Sequence, residues 1–201
     1  MAYPAVSAPY GLVPINLIGG QVFAGATRQI PIASGSTTAI YCGDVVKLNS
    51  AGTLDKDVGT TAATPVGVFL GCSYTDPVFG KTFRQYYPGG VTAADIQAYV
   101  QDDPDALFKV AVVTAYNATT ISYVNRTAVG NNAVLAQNTG STITGNSKVA
   151  ITGTTNTTST WPMRIIDVVP ETAVAGEPGS YTEVIVKWNA GMHQYLNPTG
   201  V

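Results

Sequence analysis

The chain has 201 residues, room for one domain with a sizeable core, with or without arms. Asp, Glu, Lys and Arg make up 11% of it, against roughly 25% in an average soluble protein, and ten basic against twelve acidic side chains leave a formal charge of -2. No basic run provides the phosphate contacts of a nucleic-acid binder, and no apolar run reaches the length of about 18 residues that a membrane-spanning helix needs.

Polarity comes instead from Thr, Ser, Asn, Gln and 21 Gly, which together with 12 Pro predict an all-β chain of short strands and many turns. Residues 1–27 carry no charged side chain and read as an extended N-terminal arm. Pro4, Pro9 and Pro14 fix the backbone and remove donors, while Val6, Leu12, Val13, Ile15, Leu17 and Ile18 are apolar. The prolines and Asn16 break the stretch that a secretory signal would need, and no basic segment precedes it. Such an arm packs either on its own domain or on a partner. Exposed apolar surface marks interfaces, so a partner is the expectation.

Residues 28–201 then form a barrel-like or sandwich domain. Short strands are expected at 30–32 and 39–42, and 44–49 turns at Ser50-Ala51-Gly52 to return as a hairpin through Thr53 and Leu54. Gly67 and Gly71 punctuate the apolar run 66–71, marking a bend or a close backbone approach. Residues 73–105 interrupt the strand rhythm with Tyr74, Phe79, Phe83, Tyr86, Tyr87 and Tyr99 and read as an insertion. It carries one short helix, predicted from the capping-box spacing of Thr92 and Asp95 with Ile96, Tyr99 and Val100 on one face. Residues 106–115 return to a strand, 115–160 read as short edge strands with long loops, and 162–169 and 181–188 are two strong strands around a long hairpin loop. In the last of these, Thr182, Val184, Val186 and Trp188 share one face.

The residues that carry chemistry in other proteins are sparse. Gly80-Lys81-Thr82 ends like a phosphate-binding loop, but the glycine required five positions earlier is Thr75 and Pro77 lies inside the loop. His193 is the only histidine, no nucleophile elbow accompanies it, and a packing role is expected. Cys42 and Cys72 are expected as two small buried side chains rather than a disulfide. Asp102, Asp103 and Asp105 lack the spacing of a calcium loop and read as an Asp-Pro turn. No cofactor, metal or catalytic residue is therefore expected, and the chain reads as a non-enzyme.

Three stretches resemble small virion proteins of tailed bacteriophages, particularly those of marine phages: Thr-Phe-Arg-Gln-Tyr-Tyr-Pro at 82–88, Ala-Tyr-Val-Gln-Asp-Asp-Pro-Asp-Ala-Leu-Phe at 98–108, and Glu-Val-Ile-Val-Lys-Trp-Asn at 183–189 with the terminal His193-Gln-Tyr and Thr199-Gly-Val. Gly-Asp-Val-Val-Lys-Leu at 43–48, Ala-Gly-Thr at 51–53 and Pro-Val-Gly-Val at 65–68 resemble the hairpin-and-return pattern of β-barrel head decoration, or cement, proteins. The resemblance implies a protein made in the host cytoplasm and carried on the virion head, bound as a homotrimer to the major capsid protein, where it reinforces the joints between capsomers. On that reading the partner contacts are the arm residues Val6, Leu12, Val13, Ile15, Leu17 and Ile18, together with Phe79, Phe83, Tyr86 and Tyr87. The alternatives are a tail, fibre or minor capsid protein, or a β protein that binds or hydrolyses host-surface carbohydrate.

Overall fold

The structure, a computed structural model, describes residues 6–201, so the first five residues of the expected arm lie outside the described residues. In chain order the strands are β1 (Val13–Leu17), β2 (Arg28–Pro31), β3 (Val45–Leu48), β4 (Leu54–Lys56), β5 (Gly67–Asp76), β6 (Gly80–Arg84) and β7 (Gln97–Gln101). They continue as β8 (Ala106–Val113), β9 (Val124–Asn125), β10 (Asn132–Ala136), β11 (Ala150–Asn156), β12 (Met163–Val168), β13 (Ser180–Tyr181) and β14 (Glu183–Trp188). Among the described residues the only helical pieces are single 3-10 turns at Arg126–Ala128 and Pro170–Thr172. The protein is all-β.

The strands form two lobes. In the first, β8-β11-β10-β12-β14 closes on itself because β14 pairs back onto β8, giving a five-stranded barrel. Its interior follows the two-residue period: Phe108, Val110 and Val112 of β8 meet Val184, Val186 and Trp188 of β14. The rings of Phe108 and Trp188 lie 5.3 Å apart at 57°. A bulge between Ile165 and Asp167 restores the inward face, so Met163, Ile165 and Val168 all reach the core. The second lobe is a sheet in the order β2-β7-β5-β3-β4 with β6 paired to β5, covering a separate core of Phe69, Tyr87, Ile96 and Val100 among others. Gly67 is needed at the strand crossing, because a Cβ there would stand 2.1 Å from the carbonyl oxygen of Gln101.

The helix expected near 92–100 is absent. Residues 97–101 are the central strand β7, hydrogen-bonded to β2 on one side and β5 on the other. Ile96, Ala98 and Val100 alternate into the core, and this two-residue burial overrides the local helical spacing. Asp95 does not cap Thr92; its carboxylate accepts the Thr75 N–H at 2.9 Å and the Thr75 hydroxyl at 2.8 Å. The stretch at 39–42 is likewise less regular than expected, two isolated bridges, Ile40 with Tyr87 and Cys42 with Asn146.

Of the arm residues expected on a partner, Leu12 is out of a partner's reach. Val13–Leu17 is a strand paired antiparallel to β8, and Leu12 is buried in the barrel core. Gly11 and Gly43 cross with backbones touching: a Cβ on Gly11 would lie 2.9 Å from the Gly43 Cα and 2.8 Å from the Ser147 Cβ. Both have positive φ, +91° and +92°. At this crossing the Leu12 N–H donates to the Gly43 carbonyl at 3.0 Å, and the Gly43 N–H to that of Phe69 at 2.8 Å. The Tyr10 hydroxyl donates to Glu183, whose carboxylate also faces Lys109 at 3.6 Å, so the segment at Tyr10 is clasped to the barrel.

Beneath the crossing lies Asp44, fully buried. One carboxylate oxygen takes the Ser147 hydroxyl at 2.5 Å; the other takes the Tyr41 N–H at 2.9 Å and the Lys56 ammonium at 2.8 Å. Ser147 belongs to the segment entering β11, and Lys56 to β4, so this carboxylate ties the two lobes together. The C-terminal segment adds a second tie: the Gln194 side chain accepts the Leu48 N–H at 2.7 Å and donates to the Leu48 carbonyl at 3.0 Å. His193 lies wholly buried beside it, its ring 5.2 Å from that of Tyr195, and burial pushes its pKa down, so it packs as a neutral ring. Breaking a buried pair by removing one charge costs about 3–5 kcal/mol. Asp44→Asn is therefore expected to lower unfolding free energy by about 3 kcal/mol, with at least ~1 kcal/mol recovered in Asp44→Asn/Lys56→Met, as read by urea denaturation.

Candidate functional site

The residues expected to contact a partner do not form one surface. Leu12 and Tyr87 are core residues, the latter with its hydroxyl bonded to the Ser36 carbonyl at 2.8 Å, and neither is within a partner's reach. Tyr86 is half-buried and stacks on Tyr41 with ring centres 5.5 Å apart. Val6, Ile15 and Leu17 are half-buried, with Leu17 packed on the barrel core. Val13 and Ile18 are the exposed members of the former arm. Phe79 and Phe83 stand out: they are 78% and 70% exposed and sit on the same hairpin.

That hairpin is β5–β6, in which Ser73 faces Phe83 and Asp76 faces Gly80 across the pair. Its tip is Pro77-Val78-Phe79, and Val78 is also 78% exposed. A large apolar tip in water usually collapses onto its own domain. This one is held out by its polar residues. The Asp76 carboxylate accepts the N–H groups of Val78 at 2.8 Å and Phe79 at 3.1 Å, an Asx turn that presets the loop. These two bonds hold the Asp76 carboxyl below its ordinary range. The Lys81 ammonium reaches Asp95 at 3.0 Å, and with the two bonds from Thr75 it depresses the Asp95 carboxyl strongly. The stem is thereby fastened to the segment leading into β7. At the foot of β6, the Gln85 amide donates to the Asn146 side chain at 2.5 Å, tying the hairpin to the turn that carries Ile143, which is 95% exposed.

Val78 and Ile143 were not singled out by sequence. For Val78 a signal existed: Asp-Pro-Val-Phe-Gly between two strand-like runs is a turn pattern, and apolar residues inside a turn are displayed rather than buried. Ile143 sits in Ser-Thr-Ile-Thr-Gly, where nothing distinguishes a displayed isoleucine from a buried one.

The remaining chemistry-bearing residues are occupied structurally. Gly80-Lys81-Thr82 begins a strand and no helix follows, so the geometry of a phosphate loop is missing. Asp102 pairs with Arg28 at 2.8 Å and takes the Tyr195 hydroxyl at 2.9 Å, and Asp105 pairs with Lys187 at 2.7 Å. Among the described residues no group of three or more His, Cys, Asp or Glu side chains gathers as metal ligands would. Among them, too, no helix is long and apolar enough to cross a membrane. Cys42 and Cys72 are separate thiols, and burial raises both, Cys72 to about 11, which suppresses thiolate chemistry at neutral pH.

Asp76→Ala is expected to loosen Val78 and Phe79, with NMR order parameters dropping to about 0.6 or less while the thermal midpoint stays put. A carboxylate with a depressed folded-state pKa keeps its contribution above the unfolded value of 3.8 and loses it as pH falls through the folded one. The wild-type tip is therefore expected to remain ordered at about pH 5 and to loosen only in acid below about pH 4. Compared with protein-family models, curated sequences and solved structures, the chain gave no significant match.

Proposed function

We propose that this chain is a non-enzymatic structural protein of a bacteriophage head, attached to the outside of the shell as a decoration protein, with the β5–β6 hairpin as its contact with the major capsid protein. The observation that carries the reading is the exposure of Val78, Phe79 and Phe83 together on a hairpin whose tip is hydrogen-bonded by Asp76. An exposed apolar cluster held out from its own core, by one Asx turn at Asp76 and a stem fastened through Asp95, is built to be covered by something else.

Magnitudes suit attachment in many copies. Each buried aromatic removes about 150–250 Å² from water, and at roughly 25 cal/mol per Å² two of them give several kcal/mol before the entropy of association is subtracted. That is weak for one copy and ample for a trimer whose three hairpins engage at once. The resemblances at 43–48, 51–53 and 65–68 to head decoration proteins support the same reading, and those segments build β3, the β3–β4 turn and the start of β5. The former arm changes its role in this proposal. Gly11 and Leu12 lock the two lobes, which leaves only the exposed Val13 and Ile18 as auxiliary contacts.

Purified protein mixed with undecorated shells and sedimented is expected to bind in hundreds of copies per particle, whereas a tail or fibre part would occupy a few to tens. Phe79→Ser/Phe83→Ser is expected to weaken that binding by at least about a hundredfold, since two lost aromatic anchors at roughly 1.4 kcal/mol or more each give that factor. Both side chains are exposed, so the thermal midpoint should not change. Full occupancy by the double variant would refute the hairpin as the contact.

A further inference from the structure

A second surface lies where the two lobes meet. A cleft of about 530 Å³ is walled on one side by Thr38, Lys56 and Thr60 of the sheet lobe and on the other by Tyr116, Asn117 and Gln137 of the barrel lobe, with Tyr41 in its floor. Its size falls in the range of small-molecule sites, about 300–1,000 Å³, and clefts between lobes are where such sites concentrate.

Both walls are fixed before any ligand arrives. The Asn138 amide spends its N–H groups on the carbonyls of Ala118 at 2.8 Å and Lys148 at 3.2 Å, which anchors the 115–119 turn that carries Tyr116 and Asn117. Opposite, the buried Asp57 accepts the N–H groups of Gly59 at 2.8 Å and Thr64 at 3.0 Å and shapes the loop that bears Thr60. The Thr60 carbonyl takes the Leu135 N–H at 3.1 Å, and the Gly59 carbonyl takes the Gln137 amide at 3.0 Å, so the walls are also bonded to each other. A preformed cleft binds without the entropy of ordering its loops.

The chemistry of the lining selects the ligand. Lys56 is the only charged residue in it, and its ammonium is taken by Asp44 at 2.8 Å, so the cleft offers no free charge to an anion or a cation. The exposed lining is mostly carbon, Val58 and the tyrosine rings included, while Thr38, Thr60 and Asn117 place hydroxyl and amide groups that a purely apolar ligand would leave without partners. What remains is a neutral molecule with many hydroxyls and a flat C–H face. Tyr116 supplies a ring that is 60% exposed for that face, while Thr38, Thr60 and Asn117 supply donors and acceptors for the hydroxyls. We infer that this cleft is a binding site for a neutral saccharide, with Tyr116 as the stacking platform. The site is independent of the hairpin, so a shell-bound copy can hold a glycan and contact the shell through different surfaces.

The full chain is to be examined by saturation-transfer NMR against neutral glucose, galactose and N-acetylglucosamine trisaccharides, with sialyllactose as the anionic control. The expected result is transfer to ring protons of at least one neutral trisaccharide at up to about 10 mM, no stronger transfer to sialyllactose, and at least about tenfold weaker binding by Tyr116→Ala. Because Tyr116 is exposed, an unchanged thermal midpoint separates lost binding from lost folding. Absence of transfer from every neutral trisaccharide, or binding that Tyr116→Ala and Asn117→Ala both leave intact, overturns the inference.

Discussion

The fold turns on one buried carboxylate. Asp44 lies in the loop that leaves the Gly11–Gly43 crossing for β3, and it binds the Tyr41 N–H, the Ser147 hydroxyl and the Lys56 ammonium with no contact to water. A lone buried charge would cost several kcal/mol, so these three donors are a condition for the loop's path. Once that path is set, the Gly43 N–H meets Phe69 in the sheet lobe and its carbonyl meets Leu12 over the barrel. Val45 and Val68 of the sheet lobe then fall into the barrel's own core cluster. The two lobes share a seam of hydrogen bonds and a strip of core, and the platforms for the hairpin and the cleft inherit its rigidity. Lys56 serves both ends of this arrangement, neutralising Asp44 on one side and leaving the cleft without free charge on the other.

Scarcity of charge takes on a specific meaning in this frame. Arg28, Lys56, Lys81, Lys109, Arg126 and Lys187 each stand against a carboxylate within 3.6 Å. Most of these pairs are exposed and add little stability, but they neutralise six of the ten basic side chains locally. A neutral surface neither steers a charged partner nor repels a like one. On the proposed readings, recognition would rest on contact chemistry: aromatic and aliphatic side chains at the hairpin tip, and a tyrosine ring with amides and hydroxyls in the cleft.

Much of this was legible in the sequence where one signal acted alone. The β3–β4 hairpin follows from Ser50-Ala51-Gly52, the close approach at Gly67 from a glycine inside an apolar strand, and the inward face of β14 from the alternation of Val184, Val186 and Trp188. Where two signals competed, the long-range one won. The Thr92 and Asp95 spacing is a genuine helix-start pattern, but Asp95 had a better partner twenty residues earlier in Thr75, and a period-two burial of Ile96, Ala98 and Val100 had a sheet to enter on both sides. The apolar run from Leu12 to Ile18 signals burial without saying against what; the Gly11–Gly43 contact that decides it joins residues with no local relation. Residue type put Phe79 and Tyr87 in one class, yet the first is exposed and the second lies in the core, because identity alone does not separate a displayed ring from a buried one. The cleft was beyond sequence altogether, since Lys56, Tyr116 and Gln137 come from three distant segments.

Native-state hydrogen exchange tests the central claim, that the seam makes one cooperative body of the two lobes. The amides of Leu12 and Ser147, each bonded across the seam, are predicted to exchange with the same opening free energy and denaturant dependence as Val110 in the barrel and Val100 in the sheet lobe. Seam amides that open at markedly lower free energy than either core, or two lobes that open at different free energies, would contradict it.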